Sequence, residues 1–384
     1  MSAYIWNTFC PTLFGTGASK EVGDKARELG MHKVMVCTER ALCEFGVATQ
    51  VIDVLEEAGL EVFVFDQCVA DAPSDICDEG AAYIRKYEID GVVAVGGGST
   101  LDTAKAVCII ISQNGTTIRD YYSIGEAEHE MKLITLCTTS GTGSEISQWA
   151  VIGDVITGAK EMPIYKPDMA IVDPVLTYSL PAGATASTGM DVLAHCVEAL
   201  TNRNYNPYGY IFGKEGIKLT LRWLPTAVKE PENEKAREMM ALAANLGGMA
   251  ISACGCQIGH SFAQTFGAKN HIPHGLGCAW GLPGVLTYTA KYGERQNLEE
   301  VAEAMGIVSS EDMDTMKLAE ILAGRVVELM EELEIKSIRE SGYTLADCMS
   351  VADRFEHDGA FGNSPGEPGM KEIAEYIEYT YQVY

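Results

Sequence analysis

The chain has 384 residues, 47% of them hydrophobic and 21% charged, a globular balance with enough length for two hydrophobic cores. Its formal net charge is −26 and no cluster of Lys and Arg interrupts it, which excludes the phosphate-neutralising surface that nucleic-acid binding needs. No run of about 18 apolar residues marks a membrane span, and the acidic surface is read simply as a device for solubility.

Taken in chain order, the first half alternates strand-like and helix-like segments. Residues 33–38 (KVMVCT), 61–66 (EVFVFD), 91–96 (GVVAVG) and 133–138 (LITLCT) are short, apolar and rich in β-branched side chains, as buried strands are. Between them, 19–29, 40–58, 74–86 and 100–112 carry helical spacing. Residues 149–154 and 169–173 read as two further strands, separated by a turn at Thr157-Gly158. Strand–helix–strand alternation predicts a largely parallel sheet with helices on both faces. Beyond Pro181 the texture turns helical, over 184–201, 208–224, 232–252, 257–268, 275–291, 315–333 and 367–381. The domain boundary is therefore placed near Leu180. A sheet domain of 1–180 and a helical domain of 181–384 would leave a ligand site beyond the C-terminal strand ends.

The twelve cysteines are scattered. Cys254 and Cys256 form a lone C-x-C, so reduced cytosolic thiols are expected. The first residues, MSAYIWNTFCPTLFGTG, lack the basic and apolar regions of a secretory signal, and a cytoplasmic protein is expected.

Two turns carry a signal for a bound anion. Gly96-Gly97-Gly98-Ser99-Thr100-Leu101-Asp102 follows a strand and opens a helix, where exposed N–H groups and the helix dipole favour a pyrophosphate. It is neither G-x-G-x-x-G nor a Walker A loop, and a plain strand-to-helix turn would look similar. Thr138-Thr139-Ser140-Gly141-Thr142-Gly143-Ser144-Glu145 offers hydroxyls after the neighbouring strand. Glu39 follows KVMVCT. A carboxylate there would accept hydrogen bonds from an adenosine ribose and repel a 2′-phosphate, or merely complement a helix start.

A third constellation concerns a metal. Asp191 and His195 are four apart, which places both on one helix face. His260 sits in a helical segment that Gly267 would end, and His274 follows Pro273 at the start of the next. One carboxylate with imidazoles suits Fe²⁺ or Zn²⁺ better than Mg²⁺ or Ca²⁺. His32, His129 and His357 have no such neighbours and are read as surface or loop residues.

These residues resemble the iron-containing (group III) alcohol dehydrogenase family over nearly the whole chain. The resemblance rests on GGGSTLDTAKA at 96–106, TTSGTGSE at 138–145, DP at 173–174, LP at 180–181, GMDVLAHCVEAL at 189–200, and GH followed by HIPHG at 259–275. It implies an α/β, Rossmann-like N-terminal domain with a parallel sheet and an all-α C-terminal domain, as in dehydroquinate synthase. It implies Asp191, His195, His260 and His274 as ligands of Fe²⁺, with Zn²⁺ as the alternative. Gly97, Gly98, Ser99, Asp102, Thr138, Thr139 and Ser144 would contact NAD, Glu39 would favour NAD over NADP, and Lys160 would be a basic residue beside the cofactor. The implied reaction moves hydride between the nicotinamide and a small primary alcohol or functionalised aldehyde, in a homodimer or higher homo-oligomer.

Three departures from the family pattern concern the substrate side. Gln264 stands where many members have a second histidine, and an amide cannot relay a proton as imidazole does. The relay then falls to ribose hydroxyls, water or His271. The segment HDGAFGNSPGEPG is longer than the family's Asn-Pro-Arg turn. Trp149 falls where an aromatic or polar residue often meets substrate, though ordinary core packing suits a tryptophan equally. A polyol or sugar-phosphate enzyme of the glycerol dehydrogenase or dehydroquinate synthase type fits less well, because few Lys and Arg lie near the histidines. A non-catalytic metal-binding scaffold is the remaining alternative.

Overall fold

The computed structural model describes residues 10–384, so most of the N-terminal stretch read above for a secretory signal lies outside them. The chain divides into two compact units. A sheet unit comprises 10–139 and Gly143–Ser179, and a helical unit comprises Ser140–Thr142 and Leu180–Tyr384.

In the sheet unit six strands pair in parallel: β1 (Thr12–Phe14), β2 (Lys33–Thr38), β3 (Glu61–Phe65), β4 (Gly91–Gly96), β5 (Lys132–Cys137) and β8 (Met169–Val172). Their order is β1-β8-β5-β4-β2-β3. Strand β4 pairs with β5 along its whole length and with β2 from Gly91 to Val95, and is buried at every residue, which explains its continuous apolar run. Alternate side chains feed two cores. Val34, Val36, Val93, Val95, Ile134 and Leu136 face α1 (Val22–Glu28) and α3 (Val47–Glu57). Met35, Cys37, Val92, Ala94 and Leu133 face α4 (Ser74–Tyr87) and α5 (Gly98–Ser112).

Some expected elements differ. The helix expected over 40–58 is two, α2 (Arg40–Glu44) and α3, because the chain turns at Gly46 with φ 77°, a conformation that side chains resist. The strand expected at 149–154 shrinks to β6 (Ile152–Gly153), which pairs antiparallel with β7 (Lys160–Glu161) in a separate ribbon around the expected turn. Trp149 keeps only one isolated bridge, to Ile164.

The helical unit holds α6 (Ala182–Thr201), α7 (Pro207–Lys229), α8 (Glu234–Cys254), α9 (Ile258–Asn270), α10 (His274–Tyr292), α11 (Arg295–Met305), α12 (Thr315–Glu332), α13 (Leu345–Met349) and α14 (Met370–Val383). Its core is continuous and centres on α6, α9 and α10, with Leu193, Val197, Phe262, Phe266, Leu282 and Val285 fully buried. Helices α8 and α9 meet at a bend of 109°, made at Gly255 with φ 83°. That bend turns the start of α9 toward α6. Among the described residues no single helix is long and apolar enough to cross a membrane. All twelve cysteines are free, ten of them buried.

Candidate metal centre and cofactor turn

Helix α6 is alanine-rich and wholly buried from Gly189 to Thr201. Its i, i+4 spacing sets Asp191 and His195 on one face, and Glu198 lies three residues further on. His260 lies in the first turn of α9, and His274 opens α10 directly after Pro273, which suits a helix start. The helices bring these side chains together. Asp191 Oδ1 lies 3.6 Å from His260 Nε2, 3.6 Å from His274 Nε2 and 3.7 Å from His195 Nε2. The rings of His195 and His260 stack with centroids 4.7 Å apart.

Asp191 Oδ1 is fully buried without a hydrogen-bond partner, a costly condition for a carboxylate unless something else satisfies it. Burial pushes its carboxyl pKa up, but the imidazoles of His195, His274 and His260 outweigh burial and hold it well below the ordinary range. Burial lowers the His195 imidazole. A charged carboxylate beside a neutral imidazole is the ligating form of both groups. Nitrogen and oxygen donors around one tetrahedral cation stand about 3.3–3.5 Å apart, so the residues present fit a divalent metal.

Sequence reasoning missed Glu198, Cys256 and Cys278. Glu198 is buried and accepts a hydrogen bond from His260 Nδ1 at 2.8 Å. It also accepts the Gln257 backbone N–H at 2.6 Å, so it caps the free end of α9. By accepting the hydrogen bond from Nδ1 it orients the His260 ring with Nε2 toward Asp191. The signal was present as H-x-x-E on the same helix. The ligand atoms of Asp191, His260, His274 and Cys278 lie within 4.8 Å of one another, as do those of His195, Cys256 and His260. Cys256, expected above as a reduced thiol, thus lies beside the histidines.

The close approach of α10 to α6 depends on Gly275. A Cβ there would lie 2.2 Å from the Ser187 carbonyl oxygen, and backbone cannot yield. Gly275→Ala is expected to cost about 1–3 kcal/mol and to shift His274 away from Asp191. Denaturant titration with parallel metal analysis checks both effects.

The remaining substrate-side candidates separate. Gln264, one turn beyond His260, is buried and its Oε1 has no hydrogen-bond partner. His271 is exposed and caps α9 in the left-handed conformation, φ 55°. Trp149 is half-buried in the sheet unit, where its carbonyl accepts a hydrogen bond from Lys105 Nζ at 2.7 Å.

In the sheet unit the cofactor candidates gather at the C-terminal ends of β2, β4 and β5. Thr138 N donates to Gly96 O at 2.9 Å, and Thr100 Oγ1 donates to Glu39 Oε1 at 2.8 Å. A Cβ on Gly96 would strike the Thr100 Cβ at 2.5 Å, and one on Gly97 would press on Thr139 Cγ2 at 3.3 Å. Helix α5 starts at Gly98 with Gly97 as its N-cap and no side-chain cap, the kind of helix start that favours an anion. Ser99 Oγ accepts from Asp71 N at 3.1 Å, and Lys160 Nζ reaches Asp71 Oδ1 at 2.6 Å, so Lys160 is tied to this turn through Asp71. Beneath it two of the expected residues, Asp102 and Ser144, join a buried lysine that the sequence did not mark. Ser144 Oγ donates to Asp102 Oδ1 at 2.6 Å, and Lys105 Nζ donates to Ser144 Oγ at 2.8 Å.

Comparison with known proteins agrees with this geometry. Residues 11–174 match the iron-containing alcohol dehydrogenase family, and 185–381 match the C-terminal part of the Fe-containing alcohol dehydrogenase family. Choline dehydrogenase of Bacillus subtilis is 33% identical over 85% of this chain and 83% of its own length. NAD-dependent methanol dehydrogenase of Bacillus methanolicus is 34% identical over 78% of this chain and 80% of its own. The structure of sulfoacetaldehyde reductase from Bifidobacterium kashiwanohense in complex with NAD⁺ superposes with a TM-score of 0.85 at 28% identity, covering all of both chains. A parallel-sheet unit with an uncapped glycine-rich helix start, followed by a helical unit with a carboxylate–imidazole cluster, together with the family match, defines a metal-dependent oxidoreductase of the alcohol dehydrogenase class. The chain belongs to the iron-containing alcohol dehydrogenase family.

Proposed function

We propose that this enzyme transfers hydride between NAD(H) and a small primary alcohol or functionalised aldehyde, with residues 1–180 binding NAD and 181–384 binding a divalent metal, iron first and zinc second. The observation that carries the reading is Asp191 Oδ1, buried without a hydrogen bond and faced by three imidazole nitrogens at 3.6–3.7 Å. Asp191, His195, His260 and His274 would hold the metal, and Glu198 would fix the tautomer of His260. A cation there would supply Lewis-acid polarisation of the substrate oxygen.

The chain's other residues orient and exclude. Gly97, Gly98 and Ser99 at the start of α5 would seat the pyrophosphate. Thr138, Thr139, Ser144 and Asp102 would line the nicotinamide end, with Lys160 steadying the turn. Gln264 would offer its unpartnered amide oxygen to a polar group of the substrate. An amide relays no proton, which leaves that task to ribose hydroxyls, water or the exposed His271. Trp149, half-buried in the sheet unit, would meet the substrate. Free thiols suit a cytoplasmic protein. The exposed Tyr205, Tyr208 and Ile211 around the start of α7 would suit a self-association surface of a homo-oligomer.

The test is removal of metal by chelation, followed by re-addition of Fe²⁺ or Zn²⁺ while NADH absorbance is followed over a panel of alcohols and aldehydes. Activity should vanish and return with metal. Unchanged activity in metal-free protein would sink the reading. For cofactor choice, Glu39→Gln keeps the acceptor for Thr100 but removes the charge that would repel a 2′-phosphate. The ratio of kcat/KM for NAD over NADP should fall about tenfold, checked with both cofactors at one substrate concentration series.

A further inference from the structure

We propose that Cys278 supplies its sulfur as a further ligand to the metal held by Asp191, His195, His260 and His274, giving the centre a preference for thiophilic cations. The proposal rests on the metal-centre reading above and adds to it. Cys278 lies four residues after His274 on α10, hence on the same face one turn deeper. Its Sγ lies 3.5 Å from His274 Nε2 and 3.7 Å from His260 Nε2. These are the same two nitrogens that face Asp191 Oδ1 at 3.6 Å.

Sulfur and nitrogen donors on one five-coordinate cation, with bonds of about 2.3 and 2.0 Å and angles of about 90–120°, stand about 3.0–3.7 Å apart. The sulfur therefore sits at donor spacing from two ligand nitrogens at once, inside a group whose four donor atoms lie within 4.8 Å of one another. The backbone holds it there. Gly277, the preceding residue, packs so closely that a Cβ would lie 2.9 Å from Ala263 Cα on α9. That contact presses α10 against the helix that carries His260.

Ligation breaks the S–H bond, sends the proton to solvent and forms a sulfur–metal bond, with no change of oxidation state. A thiolate among imidazoles favours Zn²⁺ and Co²⁺ and gives little to Mn²⁺. Cys256 approaches His260 together with His195 and serves as the internal control.

The experiment loads the full chain with one equivalent of Co²⁺ under anaerobic conditions and records its absorption. Wild type should show visible d–d bands and a near-ultraviolet sulfur-to-cobalt charge-transfer band. Cys278→Ser should keep the d–d bands and lose the charge-transfer band, whereas Cys256→Ser should keep both. By chelator competition, Zn²⁺ affinity of Cys278→Ser should fall roughly tenfold, with Mn²⁺ affinity changed by less than about threefold. A wild-type spectrum with d–d bands but no charge transfer, or a charge-transfer band that persists in Cys278→Ser, overturns the proposal while leaving the metal centre standing. Failure of wild type to bind Co²⁺ at all overturns the metal centre and the proposal with it.

Discussion

Asp191→Asn is expected to give a folded protein that retains no metal and loses about 10³-fold or more in kcat/KM. Asn has nearly the shape of Asp, but the charge that three imidazoles face is gone. The loss of several kcal/mol of metal and transition-state stabilisation corresponds to that factor. The fold should survive, since Asp191 Oδ1 makes no hydrogen bond, at the cost of the attraction between its charge and three imidazoles. The two effects separate by thermal melts. In chelator the variant should melt below wild type, because it lacks the carboxylate that the imidazoles stabilise. With free metal at a hundred times the dissociation constant, wild type should gain about 2.7 kcal/mol and the variant nothing. Metal analysis and the NADH rate complete the comparison. A variant that holds metal and keeps a rate within tenfold of wild type would remove Asp191 from the centre.

Much of this was legible in the sequence, for physical reasons that also mark where legibility ends. The central strands were readable because burial on both faces demands unbroken β-branched runs, and 33–38 and 91–96 match β2 and β4 at both ends. The three-residue strand β1 and the short α13 carry too little pattern to register. The break at Gly46 was hidden because a single glycine is tolerated inside a helical pattern. Asp191 and His195 could be paired because helical spacing is a local rule. Bringing His260 and His274 to them needed the family resemblance, since nothing local says that α9 and α10 meet α6. For the same reason Glu198 and Cys278 went unread. Each stands at helical spacing from a chosen histidine, yet only the crossing of the helices gives Glu198 the Nδ1 of His260 and brings Cys278 between two imidazoles. Nothing local marks Lys105, and its burial became visible only with the fold.

That burial makes Lys105 the site of the second large effect. Its side chain is fully buried and lies 3.5 Å from Asp102 Oδ1. Its Nζ donates to Ser144 Oγ at 2.8 Å and to the Trp149 carbonyl at 2.7 Å. Burial pulls the ammonium pKa down, against the pull of Asp102 and Glu145. Burial likewise pushes the Asp102 carboxyl up, against Lys105 and the Ser144 hydrogen bond. Each charge is therefore tolerated only because the other is there. Lys105→Met should cost about 3–5 kcal/mol in urea titrations of the full chain, the usual price of leaving one buried charge alone. The double variant with Asp102→Asn should recover more than about 1 kcal/mol of that loss, since the stranded carboxylate is then neutral. Ser144 and Asp102 are also proposed to line the nicotinamide end. Loosening them should raise the Kd for NAD roughly tenfold, about one hydrogen bond's worth of free energy. A loss below about 1 kcal/mol in Lys105→Met, with NAD affinity unchanged, would mean that the sheet unit neither needs this charge for its fold nor uses it to shape the cofactor turn.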